Sequence, residues 1–138
     1  MAHKVDIIIP VYNSVELTIC CIKSIDQHLR DCVHNVIIHD DYSSQETNIK
    51  LNKIKNSSYY NLKIIRSEKN IGFAAGVNKA CSLATAPYLF ILNSDTEILA
   101  DIVSPMLKIL DNNPDIAAIN PSGSVYSHKK LKRCNDVY

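Results

Sequence analysis

Neither sign of charge dominates this chain. Its 138 residues carry 15 basic and 14 acidic side chains, a formal charge of +1, so no global field steers it toward nucleic acid or a membrane surface, and any anionic ligand has to be held locally. Cysteine pairs are missing as well. Cys20, Cys21, Cys32, Cys81 and Cys134 are odd in number and none is spaced CxxC, which argues against a disulfide framework and against a zinc site. Cys20, Cys21 and Cys81 fall in apolar helical patterns, where a thiol behaves as a small hydrophobe; a reducing cytoplasm fits. No stretch approaches the roughly 20 apolar residues that span a bilayer, and no basic-then-apolar leader precedes the first strand. The glycine pattern lacks both GxGxxG and GxxxxGK[ST], so neither nucleotide fingerprint applies. Without GxSxG or a Cys/His arrangement no nucleophile stands out. His3, His28, His34, His39 and His128 show no ligand spacing, and His39, at a strand end, reads as a core or supporting histidine.

What is present is the composition of one soluble globular domain: 46% hydrophobic, 21% charged, with mean hydropathy near zero at -0.04. The basic run HKKLKR (128–133) reads as a solvated tail. VDIIIPVYN (5–13) is a short branched apolar run, the pattern of a strand buried on both faces. Leu17, Cys21, Ile25 and Leu29 then recur at spacing four as one face of a helix, which Ser14 could cap. NVIIHDDYSS (35–44) repeats the strand with a polar end, followed by a polar helix with Ile49, Leu51 and Ile54. LKIIRS (62–67) gives a third strand, and NIGFAAGVNKACSLATA a glycine turn followed by a helical stripe of Phe73, Val77, Ala80, Cys81 and Ala84. Pro87 separates this helix from the strand YLFIL. A helix over about 100–112 and a fifth strand, DIAAINP (115–121), complete the pattern. The alternation predicts an α/β protein, a three-layer α/β/α arrangement around a mainly parallel sheet.

In such sheets ligands bind beyond the carboxyl ends of the strands, which makes the strand ends a site map. Asp40 and Asp41 are adjacent there; neighbouring strand side chains point to opposite faces, so at most one faces inward. A carboxylate in this place could accept N–H groups from a pyrimidine base or bind a cation, or Asp41 to Ser44 could simply form an Asx turn. Asn70 to Asn78 puts small residues at a helix start, where unpaired N–H groups suit a diphosphate, unless Ala74, Ala75 and Gly76 only pack the helix closely. Asn93, Ser94 and Asp95 offer hard oxygen ligands for Mg2+ or Mn2+. The same stretch has capping-box spacing between Ser94 and Glu97.

Taken in order, VDIIIPVYN, VIIHDDYSS, NIGFAAGVNKA and YLFILNSDTEI resemble the successive motifs of the family 2 glycosyltransferases, over about residues 5 to 121. The third and fourth resemble the rhamnosyltransferase-like branch. The resemblance implies an inverting enzyme with the Rossmann-like GT-A fold that uses a nucleotide-diphosphate sugar, UDP- or dTDP-linked, and a saccharide or lipid-linked acceptor. It further implies cell-surface polysaccharide synthesis in the cytoplasm or at the inner face of the membrane. By position, Pro10, Val11, Tyr12 and Asn13 would line the nucleoside pocket and Asp40 or Asp41 would accept the base N3–H. Asn70, Gly72 and Asn78 would border the sugar diphosphate, with Asn93 and Ser94 beside it. Asp95 would be the metal carboxylate for a divalent cation, Asn93 standing where a DxD motif has its first Asp. The general base has no matching motif here and is expected beyond Tyr138, so the chain is expected to be a nucleotide-sugar-binding half without its acceptor-binding half. Two other readings are a noncatalytic nucleotide-binding module and a phosphoacceptor signalling domain. The latter needs its acidic pair after the first strand and a lysine after the fifth, where this chain has Pro10 to Asn13 and NPSG.

Overall fold

Branched apolar runs become central strands when both of their faces are covered, and β1 (Val5–Val11) meets that condition, with six of its seven residues buried. The computed structural model describes residues 4–55 and 60–121. After β1 come α1 (Val15–His28), β2 (Val33–Asp40), α2 (Gln45–Ile54), β3 (Asn61–Arg66), α3 (Phe73–Cys81), β4 (Tyr88–Ile91) and α4 (Val103–Asn112). The four strands form one parallel sheet in the order β3-β2-β1-β4.

Alternation along the strands divides the core in two. Ile7, Ile9 and Val11 of β1 and Val36 and Ile38 of β2 pack with Cys21, Ile22 and Ile25 of α1, Leu51 of α2 and Val103 and Leu107 of α4. On the other face Ile8 and Ile37 meet Val77 and Ala80 of α3. The expected three-layer α/β/α arrangement is therefore present, as four parallel strands with four helices.

Several details differ from the sequence expectations. Leu17 is 39% exposed although Cys21, Ile25 and Leu29 are buried; a period of four drifts about 40° per step around a helix of 3.6 residues per turn, so one end of the row leaves the core face. Ser14 occupies the N-cap position in a left-handed conformation (φ 51°) and its side chain makes no cap bond. The segment 115–121 forms no strand, and among the described residues β4 is the edge of the sheet. Ala118, Ile119 and Pro121 instead line an apolar groove of about 660 Å3 along β4, with Leu89, Ile91 and Leu99. Apolar content tells that a segment seeks cover, not that its backbone finds a ladder. Cys21, Cys32 and Cys81 are free thiols as expected, whereas Cys20 is disulfide-bonded, against the expectation.

One buried acid organises the amino end of the sheet, the end opposite the site. Asp6 Oδ2 accepts the backbone N–H of Thr85 (2.6 Å) and Ala86 (3.0 Å), and Oδ1 accepts the backbone and side-chain N–H of Asn35 (2.9 and 2.8 Å). Burial pulls this carboxyl upward, but the four donors outweigh it and leave its pKa below the ordinary value. Its contribution is therefore present above the unfolded-state value near pH 4 and is lost as pH falls through the lower folded-state value. Replacing Asp6 by Ala strands one buried and two partly buried backbone donors and is expected to lower unfolding free energy by about 2–4 kcal/mol in urea titrations.

Candidate functional site

The strand order sets the place. From β1 the chain proceeds outward through β2 to β3 and then returns to the other side of β1 as β4, so the topological switch point lies between β1 and β4, at the carboxyl ends where ligands bind in open parallel sheets. The loops after all four strands reach this same rim.

Asp41 ties the rim together. Its backbone N–H donates to Val11 O at 2.8 Å, while its carboxylate accepts the backbone N–H of Ile71 (Oδ1, 2.7 Å) and Gly72 (Oδ2, 2.9 Å). Asn70 Nδ2 donates to Asp41 O at 3.4 Å. The N-terminal turn of α3 is thereby held against the ends of β1 and β2. Gly72, at φ +83°, makes the bend that a side chain would strain. Between these elements lies a cavity of about 250 Å3, lined by Pro10, Val11, Tyr12, His39, Asp41, Asn70, Gly72 and Phe73.

Asp40 turns the other way. It is fully buried, forms an ion pair with Arg66, and accepts Ser43 N–H at 2.9 Å and Asn48 Nδ2 at 3.4 Å. Arg66 also donates to Ser43 O at 2.6 Å, and its guanidinium lies 5.4 Å from the Tyr42 ring centre. Burial would raise the Asp40 pKa, but Ser43 and the Arg66 guanidinium hold it below the ordinary carboxylate value. The turn anticipated for Asp41 is thus made by Asp40, and Ser44 caps α2 through Thr47 N–H at 3.2 Å. Asn13 joins the loops after β1 and β2: its N–H donates to Ser43 Oγ (2.8 Å) and its Oδ1 accepts Ser44 N–H (2.9 Å).

Beneath the cavity His39 is fully buried, with Nε2 2.8 Å from Ser67 Oγ, to which Lys79 Nζ also donates at 3.4 Å. A Cβ at Gly76 would sit 2.4 Å from His39 Nδ1, so glycine is what lets α3 lie on the imidazole. Desolvation lowers the His39 pKa, Lys79 adds to the effect, and Asp41 and Asp40 oppose it.

The fourth rim segment follows β4. Leu92 N–H continues the ladder to Ile8 O at 2.9 Å, and Thr96 N–H closes a turn on Asn93 O at 3.1 Å. Ser24 Oγ of α1 accepts Ile98 N–H at 2.9 Å and anchors the returning chain. Burial, with the nearby Asp95 charge adding, pushes the Cys21 thiol up to about 12. No helix begins at Ser94; Asp101 Oδ1 caps α4 instead, accepting Val103 and Ser104 N–H at 3.1 and 2.9 Å. Asp95 is exposed on the turn, and its carboxylate makes no hydrogen bond or ion pair among the described residues. No group of three or more His, Cys, Asp and Glu gathers among the described residues. One free carboxylate with neighbouring amide and hydroxyl oxygens nevertheless fits a cation that takes its other ligands from substrate phosphate.

Of the residues singled out in the sequence, Pro10, Val11, Tyr12, Asp41, Asn70 and Gly72 share the cavity. Asn13 and Asp40 are engaged in the rim's own bonding, Asn78 lies on the exposed side of α3, and Asn93, Ser94 and Asp95 form a separate segment of the rim. His39 and Phe73 were not anticipated as lining residues: Phe73 fits the apolar stripe of α3 by spacing, but the helix begins with it and leaves it 59% exposed.

Two measurements follow from these environments. Arg66→Ala leaves a buried carboxylate unpaired and is expected to cost about 2–4 kcal/mol of stability, less than for a wholly buried pair because the guanidinium side chain is 30% exposed. His39 favours its neutral form in the fold, so its contribution is complete above the unfolded-state value of about pH 6.5 and declines as pH falls below it. The urea midpoint should drop between about pH 7 and pH 5, and less steeply in a His39→Gln chain.

Residues 6–133 match the glycosyl transferase family 2. A dolichol-phosphate mannosyltransferase of Pyrococcus furiosus is 27% identical over 114 residues, which are 83% of this chain and 32% of that protein. Among solved structures, the mannosyltransferase PcManGT from Pyrobaculum calidifontis, in complex with GDP-Man and Mn2+, superposes with a TM-score of 0.73 at 23% identity, covering 80% of this chain and 33% of that one. S. aureus TarS 1-349, in complex with UDP-GlcNAc, gives 0.69 at 24% identity over 80% of this chain and 32% of that one. The chain spans about a third of the length of the curated relatives it matches. With a match over nearly its whole length, on the same fold and with the motifs at the same rim, the chain belongs to glycosyl transferase family 2.

Proposed function

We propose that this chain is the donor-binding part of an inverting glycosyltransferase that moves a sugar from a UDP- or dTDP-sugar to a hydroxyl of a saccharide or lipid-linked acceptor. The observation that carries the reading is the cavity at the ends of β1 and β2, which brings Pro10, Val11, Tyr12, Asp41, Asn70 and Gly72 together beside the switch point. The complexes of PcManGT with GDP-Man and of TarS with UDP-GlcNAc support it. The NIGFAAGVN and LNSD segments favour the rhamnosyltransferase-like branch and a role in cell-surface polysaccharide synthesis at the cytoplasmic face of the membrane. No helix among the described residues is long and apolar enough to cross a membrane.

In this reading the nucleoside occupies the cavity. Asp41 is the candidate acceptor for the base N3–H: each oxygen already takes one backbone N–H and retains a second lone pair. Asp40 contributes by holding Arg66 and the 43–48 turn. Asn70, Gly72 and Asn78 border the sugar diphosphate, with Asn93 and Ser94 on its other side. Asp95, assisted by Asn93 and Ser94, would hold Mg2+ or Mn2+, which when bound supplies Lewis-acid stabilisation of the departing nucleotide diphosphate. The acceptor hydroxyl attacks the anomeric carbon from the opposite face and needs a general base; Asp101 is occupied in capping α4.

Calorimetric titration with UDP and dTDP, with and without Mn2+, tests this. A pyrimidine diphosphate should bind, and Mn2+ should tighten it roughly tenfold or more. Asp95→Ala should abolish the metal effect while metal-free binding persists. Failure of every nucleotide to bind would sink the proposal, and unchanged metal dependence in Asp95→Ala would remove Asp95 from its role.

A further inference from the structure

Among the described residues the two edges of the sheet are built differently. β3 carries Lys63 and Arg66, the kind of charge that keeps an edge from pairing with another chain. Tyr88 to Leu92, at the β4 edge, contain no charge. Leu92 N–H points inward, to Ile8 O at 2.9 Å. Main-chain groups of successive strand residues point to alternate sides, so those of Phe90 also face β1, whereas the N–H and C=O groups of Leu89 and Ile91 face the open edge. The same two residues carry exposed side chains. Leu89 and Ile91 lie in register with Asp6 and Ile8, on the face where α3 packs against β1 and β2, and they are 48% and 51% exposed. Beside them runs the apolar groove flanked by Leu99, Ala118, Ile119 and Pro121, with Glu97 its one charged residue among those described.

We propose that the open edge of β4 is a self-association surface, on which β4 of a second copy of this chain pairs antiparallel about a two-fold axis at Phe90. The strand is self-complementary in that register. Leu89 of one copy stands opposite Ile91 of the other, and each such pair lies on one face because the axis passes through a residue. Leu89 and Ile91 are the residues with free main-chain groups, so each pair exchanges both N–H···O bonds, while Phe90 faces its own copy in the non-bonded position. An axis between two residues would instead set opposite faces together. The contact is isologous and closes at two copies. No charge on the strand meets its own image, and a chain of formal charge +1 opposes association little. The inference does not rest on nucleotide binding.

Light scattering after size exclusion should show a monomer–dimer equilibrium with a dissociation constant of roughly 1–100 μM. Amide exchange locates the contact: Leu89 and Ile91 N–H should exchange more slowly as concentration rises, while Phe90 and Leu92 stay protected at every concentration. Ile91→Lys should weaken association roughly tenfold or more, because it removes a cross-strand partner from both symmetric pairs. Ile91→Pro removes an N–H that the β1 ladder does not use and should give a monomer; where circular dichroism shows that its fold is lost, Ile91→Lys decides. A chain that stays monomeric to about 500 μM, with fast exchange at Leu89 and Ile91, would overturn the proposal and leave the edge to a further segment of polypeptide. A dimer in which those two amides gain no protection, or which Ile91→Lys leaves intact, would overturn it by placing the interface elsewhere.

Discussion

The rim of this protein depends on the hydrogen bonds of Asp41. Its main chain holds the end of β1 and its carboxylate holds the start of α3, so a single residue sets the spacing of three elements that surround the cavity. An ionised carboxylate suits the task, because charge-assisted bonds to backbone N–H groups at a helix start are stronger than neutral ones and are favoured by the helix dipole. Without them, the loop carrying Asn70 to Gly72 would have to satisfy those donors elsewhere, and the cavity would lose a wall.

Its neighbour shows how strand geometry divides labour. Consecutive side chains leave a strand on opposite faces, and Asp40 goes to the α2 side, where Arg66, Ser43 and Asn48 consume it. The two acids that look equivalent in sequence therefore do different things: one stabilises the rim, and the other shapes the ligand cavity. His39, one residue earlier, returns to the α3 side, and the missing side chain of Gly76 is the space its ring requires.

The switch point creates a second division. The β1–β2 side of the rim is closed by α3 and Asp41, with a small cavity and aromatic walls; the β4 side is an open turn whose carboxylate has no partner among the described residues, bordered by an apolar groove.

The sequence by itself determined the alternation of strands and helices, the parallel sheet and the four rim motifs, because buried strands and amphipathic helices carry their periods in the order of their residues. It also brought Pro10, Val11, Tyr12, Asp41, Asn70 and Gly72 into consideration through their places at strand ends and a helix start. It could not separate Asp40 from Asp41, since that depends on which face of β2 meets Arg66. Nor could it tell that Phe73 opens α3 and stays outside the core, or that 115–121 would lie along β4 without pairing. Those outcomes were decided by tertiary structure, because the direction of a side chain at the end of an element and the availability of a hydrogen-bonding edge are set by neighbours distant in sequence, not by local pattern.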